Sequence, residues 1–412
     1  MKPIILFALW VLLVVMSLAS VDAQPAPTEV VFWHHYADPA RLAFWEAQAE
    51  AFNARQEAAR VQVQVYPSYF NLRDGLLAAL LNDNPPDVAF ARPEDAALFA
   101  LGGQVLDLQS YVASSPLDEA AFVPGIWRQD IYEGQRLGLP LTRAAAALYV
   151  NGDALRALGY DAPPRDWETL QSMSCAFAEA GGWPAVQTVV PVGFDIPPDA
   201  AALWGLAAPE AIYAEGYNLA GLATLFADMR ALRDAGCAAF SPEPANAAQN
   251  RFASGQTLFF FASSAARPFV EEAMRTYFAE PFALEVIPLP AINGPATVIG
   301  GPSLSIFARD AARQSAAWAW LEWLAAPPRV QAWARLNTAL PARQDIPAYD
   351  DWVPFWDAQR LYVPATPGYG LVADEVVFAL ADVLNGADPS ARVAALGESA
   401  ARIAAALAPV IE

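Results

Sequence analysis

Residues 29–90 read EVVFWHHYADPARLAFWEAQAEAFNARQEAARVQVQVYPSYFNLRDGLLAALLNDNPPDVAF, and the pattern of this stretch decides the fold class. Glu29–Trp33 is mostly apolar and rich in β-branched and aromatic residues, which is typical of a buried strand. Asp38-Pro39 is a typical helix start, because aspartate accepts from the first free N–H groups and proline suits the first helical position. The stretch therefore opens with a strand followed by a helix.

The rest of this stretch repeats the same order. Val61–Val65 alternates valine with glutamine, as expected of a half-buried strand, and Leu72–Leu81 is predicted to be a helix. Asn84-Pro85-Pro86 ends that helix, and Asp87–Phe90 is a short apolar strand. The order β-α-β-α-β predicts a parallel sheet with crossover helices.

Similar alternation continues to the end of the chain. Strands are predicted at Ala144–Val150, Thr257–Phe261, Leu284–Leu289 and Ser303–Phe307. Helices are predicted after Asp166 and at Leu219–Leu232, Ala311–Ala325, Asp374–Leu384 and Pro389–Leu407. The length of 412 residues is too great for one ordinary core and suits two α/β lobes.

The composition excludes some classes of partner. The net charge is −20, and the only lysine is Lys2. Such an acidic surface repels nucleic acid and anionic lipid. We therefore expect no nucleic-acid partner and no binding to a membrane surface.

The N-terminus has the layout of a secretory signal peptide. Lys2 precedes the apolar run Ile4–Met16, and Val21-Asp22-Ala23 supplies small residues for cleavage after Ala23. The alternative is an uncleaved anchor, for which the run is short. The expected mature chain begins at Gln24 and is exported to a periplasm or the exterior.

Two cysteines are present, Cys175 and Cys237. An even count in an exported chain favours a disulfide, and two buried thiols are the alternative. Sequence alone does not give the distance that such a bond requires.

Several segments together resemble the family of extracellular solute-binding proteins of the maltose-binding and glycerol-3-phosphate-binding kind. The resemblance covers nearly the whole mature chain and rests on the order and spacing of short motifs. These motifs are Val31-Phe32-Trp33-His34-His35-Tyr36, Asn84-Pro85-Pro86-Asp87-Val88, Leu148-Tyr149-Val150-Asn151, Pro163-Pro164-Arg165-Asp166-Trp167, Phe252-Ala253-Ser254-Gly255-Gln256, Ile299-Gly300-Gly301-Pro302-Ser303 and Leu340-Pro341-Ala342-Arg343.

The resemblance implies a type II periplasmic binding fold, with two α/β lobes joined by three crossovers and a ligand cleft between them. It places residues 24–141 and 291–340 in the first lobe, and 142–290 and 341–412 in the second. It also implies a monomer that captures a solute for an ABC importer, with a membrane permease as partner. No cofactor and no metal are expected.

Candidate ligand-binding residues lie where strands end or tight turns occur, since open α/β sheets bind ligands at the carboxyl ends of their strands. Aromatic faces suit the C–H faces of sugar rings, and charged groups bracket hydroxyls. Some candidates have a plain alternative, namely core packing for Trp33, a solvated loop for Arg92, Glu94 and Asp95, and a hinge brace for Arg143. The candidates are Trp33, His34, Tyr36, Tyr69, Arg92, Glu94, Asp95, Arg143, Asp195, Trp204, Ser263, Ser264, Gly300, Gly301, Ser303 and Tyr369.

The expected solute is a sugar or an oligosaccharide. Glycerol-3-phosphate-binding relatives carry an arginine near the position of Tyr369, whereas this chain has no arginine between Arg360 and Arg392. A phosphate group prefers a bidentate arginine. Glycerol-3-phosphate and glycerophosphodiesters stay open as alternatives through the backbone donors of Gly300 and Gly301. A polyamine or metal binder of similar fold would need a cleft rich in carboxylate or histidine.

Enzyme readings have little support in the sequence. It contains no CxxC, HExxH, P-loop, strand-associated GxGxxG or GxSxG motif. Adjacent His34 and His35 point to opposite faces of a strand, which argues against joint metal ligation. An exported glycoside hydrolase is the rival from another class, because 44 Asp and Glu residues allow many carboxylate pairs. We expect a non-catalytic protein.

Overall fold

The fold is described from a computed structural model, over residues 26–188, 190–240, 246–347 and 349–407. The predicted signal peptide and its cleavage site lie outside these residues. Within them, no helix combines the length and the apolar character needed to cross a membrane.

The first sheet contains the strands predicted at the N-terminus. Its strands are β1 (Thr28–His34), β2 (Ala59–Val65), β3 (Val88–Ala91) and β12 (Ser303–Ile306). The order is β12-β3-β1-β2, in which β1 is parallel to β2 and to β3 while β12 is antiparallel to β3. This sheet places the carboxyl ends of β1 and β3 at the same edge.

The second sheet is built around one long strand. The order is β13-β6-β10-β11-β14, with β9 also paired to β6. Its strands are β6 (Thr142–Asn151), β9 (Phe259–Ser263), β10 (Leu284–Ala291), β11 (Gly294–Gly300), β13 (Leu340–Pro341) and β14 (Gln359–Tyr362). Four short strands pair outside these sheets, namely β4 (Ile131–Tyr132), β5 (Gln135–Arg136), β7 (Phe194–Asp195) and β8 (Ala238–Ala239).

The described helices fall into three groups along the chain. Those before β6 are α1 (Pro39–Arg55), α2 (Tyr69–Leu81), α3 (Pro93–Leu101), α4 (Gln109–Ser114) and α5 (Pro124–Arg128). Those between β6 and β12 are α6 (Gly152–Ala157), α7 (Trp167–Glu179), α8 (Ala200–Ala207), α9 (Leu222–Asp234), α10 (Ala247–Ala253) and α11 (Arg267–Tyr277). The last are α12 (Ala311–Leu324), α13 (Pro327–Leu336), α14 (Val353–Asp357), α15 (Tyr369–Leu384) and α16 (Pro389–Leu407).

Helix starts follow the capping chemistry of the sequence. The Asp38 side chain accepts from the Arg41 N–H at α1, and Asp166 accepts from Thr169 at α7. Ser68 caps α2 by accepting from Asn71, so Tyr69 is the first helical residue. The prediction of a turn at Tyr69, with the helix beginning at Leu72, is therefore three residues late.

The apolar side chains form separate cores. One core is confined to the second lobe and includes Trp204, Phe226 and Val376. Another fills the first lobe around Trp45 and Trp320, and it continues past the hinge along β6 through Tyr149. The lobes are therefore distinct units that share packing where the chain crosses between them.

The chain crosses between the sheets three times. It enters the second sheet at Thr142, returns between Gly300 and Ser303, and leaves the first lobe again at Leu340. The predicted lobe boundary at residue 291 is wrong, because β11 pairs with β10 and β6 in the second sheet. The return crossing lies after Gly300 instead.

A buried ion pair sits where these crossings meet. Arg143 and Asp130 are 2.7 Å apart, and both side chains are at most 2% exposed. Arg143 also donates to the side chains of Gln129 and Ser303 and to the Pro302 carbonyl. Gln129 in turn donates to the carbonyls of Ile299 and Val363. Arg143 and Ser303 therefore brace the hinge, which corrects their assignment to the ligand site.

A disulfide joins Cys175 on α7 to Cys237 just before β8. The two Cα atoms are 4.5 Å apart, and the bond closes a loop with a sequence separation of 62. The bond links α7 to the segment that leads from α9 into β8, within the core of the second lobe.

Asp130→Ala is expected to lower the free energy of unfolding by about 3–5 kcal/mol, because it leaves the buried Arg143 charge without its partner. Chemical denaturation measures this change. Glu398→Ala, which breaks the exposed pair with Arg402, is the matched control and should cost less than about 1 kcal/mol. Equal losses for the two variants would contradict the role of Arg143 in the hinge.

The double variant Cys175→Ser/Cys237→Ser is expected to lose about 4 kcal/mol, as the loop-entropy relation gives for a loop of this length. Chemical denaturation with and without a thiol reductant measures it. The reduced native chain should match the double variant. A native chain whose stability is indifferent to the reductant would count against a stabilising disulfide.

Candidate functional site

A cavity of about 1110 Å³ lies between the two lobes. Its first-lobe wall includes the residues that follow β1 and β3 and the first turns of α2 and α3. Its second-lobe wall includes the first turns of α8 and α15. Because these helices begin at the cavity, the unpaired N–H groups of their first turns lie at its wall, and the Asp199 side chain that caps α8 lines it.

Aromatic rings from both lobes line this cavity. Tyr36, Tyr69 and Phe70 come from the first lobe, while Phe269 and Tyr369 come from the second. Tyr36 packs against His35, with ring centroids 4.1 Å apart, and His35 meets Tyr69 edge to face at 5.3 Å. These contacts form a continuous aromatic wall at the ends of β1 and α2.

Tyr69 links the aromatic wall to the polar residues after β3. Its hydroxyl donates to Asp95 at 2.5 Å and accepts from the Arg92 N–H at 2.7 Å. The Arg92 guanidinium lies 4.3 Å from the Tyr69 ring centre, a cation–π contact. These bonds fix Tyr69, Arg92 and Asp95 in one orientation, and all three line the cavity.

Glu94 is a buried carboxyl at the cavity wall, with 8% of its surface exposed. Its Oε2 is buried and has no hydrogen-bond partner among the described residues. Burial raises the pKa of Glu94 to about 7, against the opposing effect of Arg92. Glu94 therefore supplies the cavity wall with a carboxyl group whose Oε2 is an unused acceptor, or a donor when protonated.

The predicted ligand-binding histidine at the end of β1 is wrong by one residue. His34 is fully buried between Phe32 and Trp45, and its Nδ1 accepts from the Tyr36 N–H. His35 lines the cavity instead, and burial lowers the pKa of its imidazole to about 3. Trp33 does not line the cavity and packs against Tyr66 at 5.0 Å.

The second-lobe wall centres on Tyr369 and Asp199. Tyr369 is the first residue of α15, and Gly368 at the preceding position has φ 83°, which favours glycine. Asp199 is exposed to solvent and caps α8 by accepting from the N–H groups of Ala201 and Ala202. Both residues line the cavity.

Trp204 does not line the cavity, which corrects its assignment as a ligand-stacking residue. It is fully buried, and its indole N–H donates to the Asn218 carbonyl at 2.9 Å. Its ring stacks on Tyr369 with centroids 5.8 Å apart. Trp204 therefore supports Tyr369 from behind.

Two more predicted residues have structural roles away from the cavity. Asp195 is buried beside Arg251, with 3.2 Å between the charged atoms. The Ser264 hydroxyl accepts from the Ala145 N–H inside the second lobe. The structure does bring together, around one cavity, the predicted residues Tyr36, Tyr69, Arg92, Glu94, Asp95, Ser263, Gly300, Gly301 and Tyr369.

Close backbone approach at the crossing explains the paired glycines. A Cβ at Gly300 would lie 2.9 Å from the Val363 side chain, and Gly301 has φ 133°. Larger residues at these two positions would be strained. The two glycines therefore let the crossing form part of the cavity wall.

Sequence reasoning missed several residues that line the cavity. Arg41 lies in the first turn of α1, where it pairs with Asp38 and lies over the Phe269 ring at 4.7 Å. Asp199 had an available signal, since Pro197-Pro198-Asp199 before an apolar run is a typical helix start. The missed residues are His35, Asp38, Arg41, Phe70, Arg73, Asp199, Phe269, Asn337 and Asp374.

The carboxyl groups of the site are not arranged as a metal centre. Over residues 26–188, 190–240, 246–347 and 349–407, no group of three His, Cys, Asp or Glu side chains lies close enough to hold a metal ion.

The sequence profile of the bacterial extracellular solute-binding proteins matches residues 47–359. This match spans more than half of the chain, and the chain belongs to that family. No curated protein matches it in sequence.

Solved structures of this fold are similar over nearly the whole chain. The GacH receptor of Streptomyces glaucescens, solved unliganded and with acarbose, has a TM-score of 0.77 at 20% identity, covering 92% of this chain and 99% of that one. MalE of Xanthomonas citri, a sugar-binding protein, has 0.77 at 21%, covering 93% and 99%. UgpB of Mycobacterium tuberculosis, in complex with glycerophosphocholine, has 0.75 at 18%, covering 92% and 98%. At these identities the likeness establishes the two-lobed fold.

Glu94→Gln is expected to stabilise the protein at about pH 8 and not at about pH 4. The pKa of Glu94 is raised from 4.5 to about 7, so the folded state holds the proton more tightly than the unfolded state. Stability from this group is therefore lost as the pH rises from about 4.5 to 7, by about 3 kcal/mol in total. Thermal unfolding at both pH values measures the effect, and the same difference at both would contradict it.

Proposed function

We propose that this chain is the solute-binding subunit of an ABC-type importer and that it captures a sugar or an oligosaccharide between its lobes. The observation that carries the proposal is the cavity of about 1110 Å³, lined by tyrosine and phenylalanine rings from both walls. Flat apolar rings suit the C–H faces of a pyranose, and that pairing leaves the hydroxyls for the surrounding polar groups.

The polar groups of the cavity suit hydroxyls. Arg92, Asp95 and Tyr69 are held rigidly by one another, so they are oriented before a solute arrives. Charge-assisted bonds from carboxylates and guanidinium groups to hydroxyls are stronger than neutral ones. Glu94 and Asn337 add further buried polar groups to the wall.

The charge of the cavity argues against a phosphate ester. Five carboxyl side chains line it, Asp38, Glu94, Asp95, Asp199 and Asp374, against the three guanidinium groups of Arg41, Arg73 and Arg92. Arg41 and Arg73 already pair with carboxylates. A phosphate would meet more repulsion than attraction, so a glycerophosphodiester is the weaker candidate.

Capture would work by lobe closure around the hinge at Arg143. A solute that contacts both walls binds the closed arrangement better than an open one, and this differential affinity shifts the population. The closed form is what a membrane permease would engage. We infer that the chain is an exported monomer, released after Ala23, and that it catalyses no reaction.

A thermal-shift panel of mono- and oligosaccharides tests the proposal. At least one neutral sugar should raise the melting temperature, because ligand that binds only the folded state stabilises it by mass action. A response to glycerophosphodiesters alone would reverse the assignment of the solute. Cleavage of an oligosaccharide during incubation would support the glycosidase reading instead.

Tyr369→Ala is expected to weaken binding of the responding sugar by about tenfold or more, because it removes a stacking surface of the second lobe. Isothermal titration measures the change. Tyr277→Ala is the matched control, since Tyr277 is 52% exposed and does not line the cavity. Equal affinity of both variants would exclude Tyr369 from the site.

A further inference from the structure

Carboxylates dominate the second-lobe side of the cavity. Asp199 and Asp374 line that wall and are exposed, and no arginine or histidine of the second lobe lines it among the described residues. All three lining arginines, Arg41, Arg73 and Arg92, belong to the first lobe. The two walls therefore differ in charge, and the second wall attracts a cation.

Glu94 extends this acidic surface from the opposite wall. It is more than nine-tenths buried, and its Oε2 lacks a partner within the described part of the chain. An unpaired buried carboxyl oxygen is costly, so such an atom in a binding cavity points to a ligand donor.

Tyr369 lines the same cavity as Glu94 and Asp199. Burial raises the pKa of its phenol, and the negative charges of Glu94 and Asp199 raise it further against the opposing charge of Arg92. Trp204 holds the ring from behind. An aromatic ring that shares a cavity with carboxyl groups is a favourable environment for an organic cation.

The spacing of the carboxyl groups and the size of the cavity favour an organic cation over a metal ion. The carboxyls do not converge as a metal site requires, as judged over the described ranges. The cavity of about 1110 Å³ also holds a molecule much larger than an ion. A protonated amine on a sugar fits both facts, because its three N–H donors reach separate acceptors while the rings stack on the aromatic wall.

We propose that the solute is an amino sugar or an amine-bearing oligosaccharide, whose ammonium group binds between Glu94, Asp199 and Tyr369. This proposal rests on the proposed function, since it specifies the sugar that the same cavity takes. Arg92 is a cation close to this subsite: its guanidinium is stacked on Tyr69, and its charge acts on Glu94, Asp95, Asp199 and Tyr369. The three carboxyl groups outnumber this one guanidinium.

Three matched β-1,4-linked trisaccharides test the proposal by isothermal titration near neutral pH. They are the trimer of glucosamine, the trimer of N-acetylglucosamine and cellotriose, which differ at C2 by an amine, an amide and a hydroxyl. The amine-bearing trimer should bind about tenfold or more tightly than either neutral one, a difference of about 1.4 kcal/mol. Tighter binding of a neutral trimer would overturn the amine subsite and leave sugar capture intact.

Asp199→Asn and Glu94→Gln should each remove most of this preference, which is measured as the ratio of the affinities for the amine-bearing and the neutral trimers. Asparagine caps a helix as well as aspartate, so α8 keeps its start and the folded state is preserved. Asp234→Asn is the control, because Asp234 is exposed and lies outside the cavity. An unchanged preference in both cavity variants would overturn the assignment of the subsite.

Titration with spermidine, a cation without a sugar ring, shows which of the two proposals is wrong if one of them fails. Binding of spermidine without binding of any sugar would contradict the sugar-capture function, because it would show an amine site alone. Binding of neutral sugars without the amine preference would contradict only the subsite. Preferential binding of the amine-bearing trimer over both spermidine and neutral sugars is the result we expect.

Discussion

The buried pair of Arg143 and Asp130 is the interaction on which the arrangement of the lobes depends. Arg143 donates to the Gln129 and Ser303 side chains and to the Pro302 carbonyl. Gln129 donates to the carbonyls of Ile299 in β11 and of Val363 just after β14. Two of the crossings are thus tied to one guanidinium. Because a buried charge is costly without its partners, this network keeps one geometry while the lobes beyond it remain separate cores.

The hinge determines which side chains can meet. It directs the ends of β1 and β3 and the starts of α8 and α15 toward one space, so Tyr69, Glu94, Asp199 and Tyr369 share a cavity although they lie far apart in sequence. Rigid neighbours then orient these groups, as Asp95 orients Tyr69 and Trp204 supports Tyr369. Preorganisation of this kind lowers the cost of ordering a site upon binding.

Local signals in the sequence predicted the elements well. Capping residues marked α1 and α7, and alternating valines marked β2. Strand β11 was missed because Gly294 and Pro295 at its start are typical of a turn. In the structure, β11 is held in the second sheet by its pairing with β10 and β14.

The site was predicted only in part. His34 and His35 are adjacent, and sequence does not say which face of β1 turns to the core. Trp204 had a readable signal, since its short helix is apolar on all sides and must be buried.

The central claim is that the two lobes close around a solute that contacts both. Spin labels at Asp74 on α2 and Phe378 on α15, both exposed and on different lobes, would report the distance between the lobes. Adding the sugar that gives the largest thermal shift should convert a broad distribution of longer distances into a single shorter one. An inter-label distance that is unchanged at saturating sugar would contradict the account.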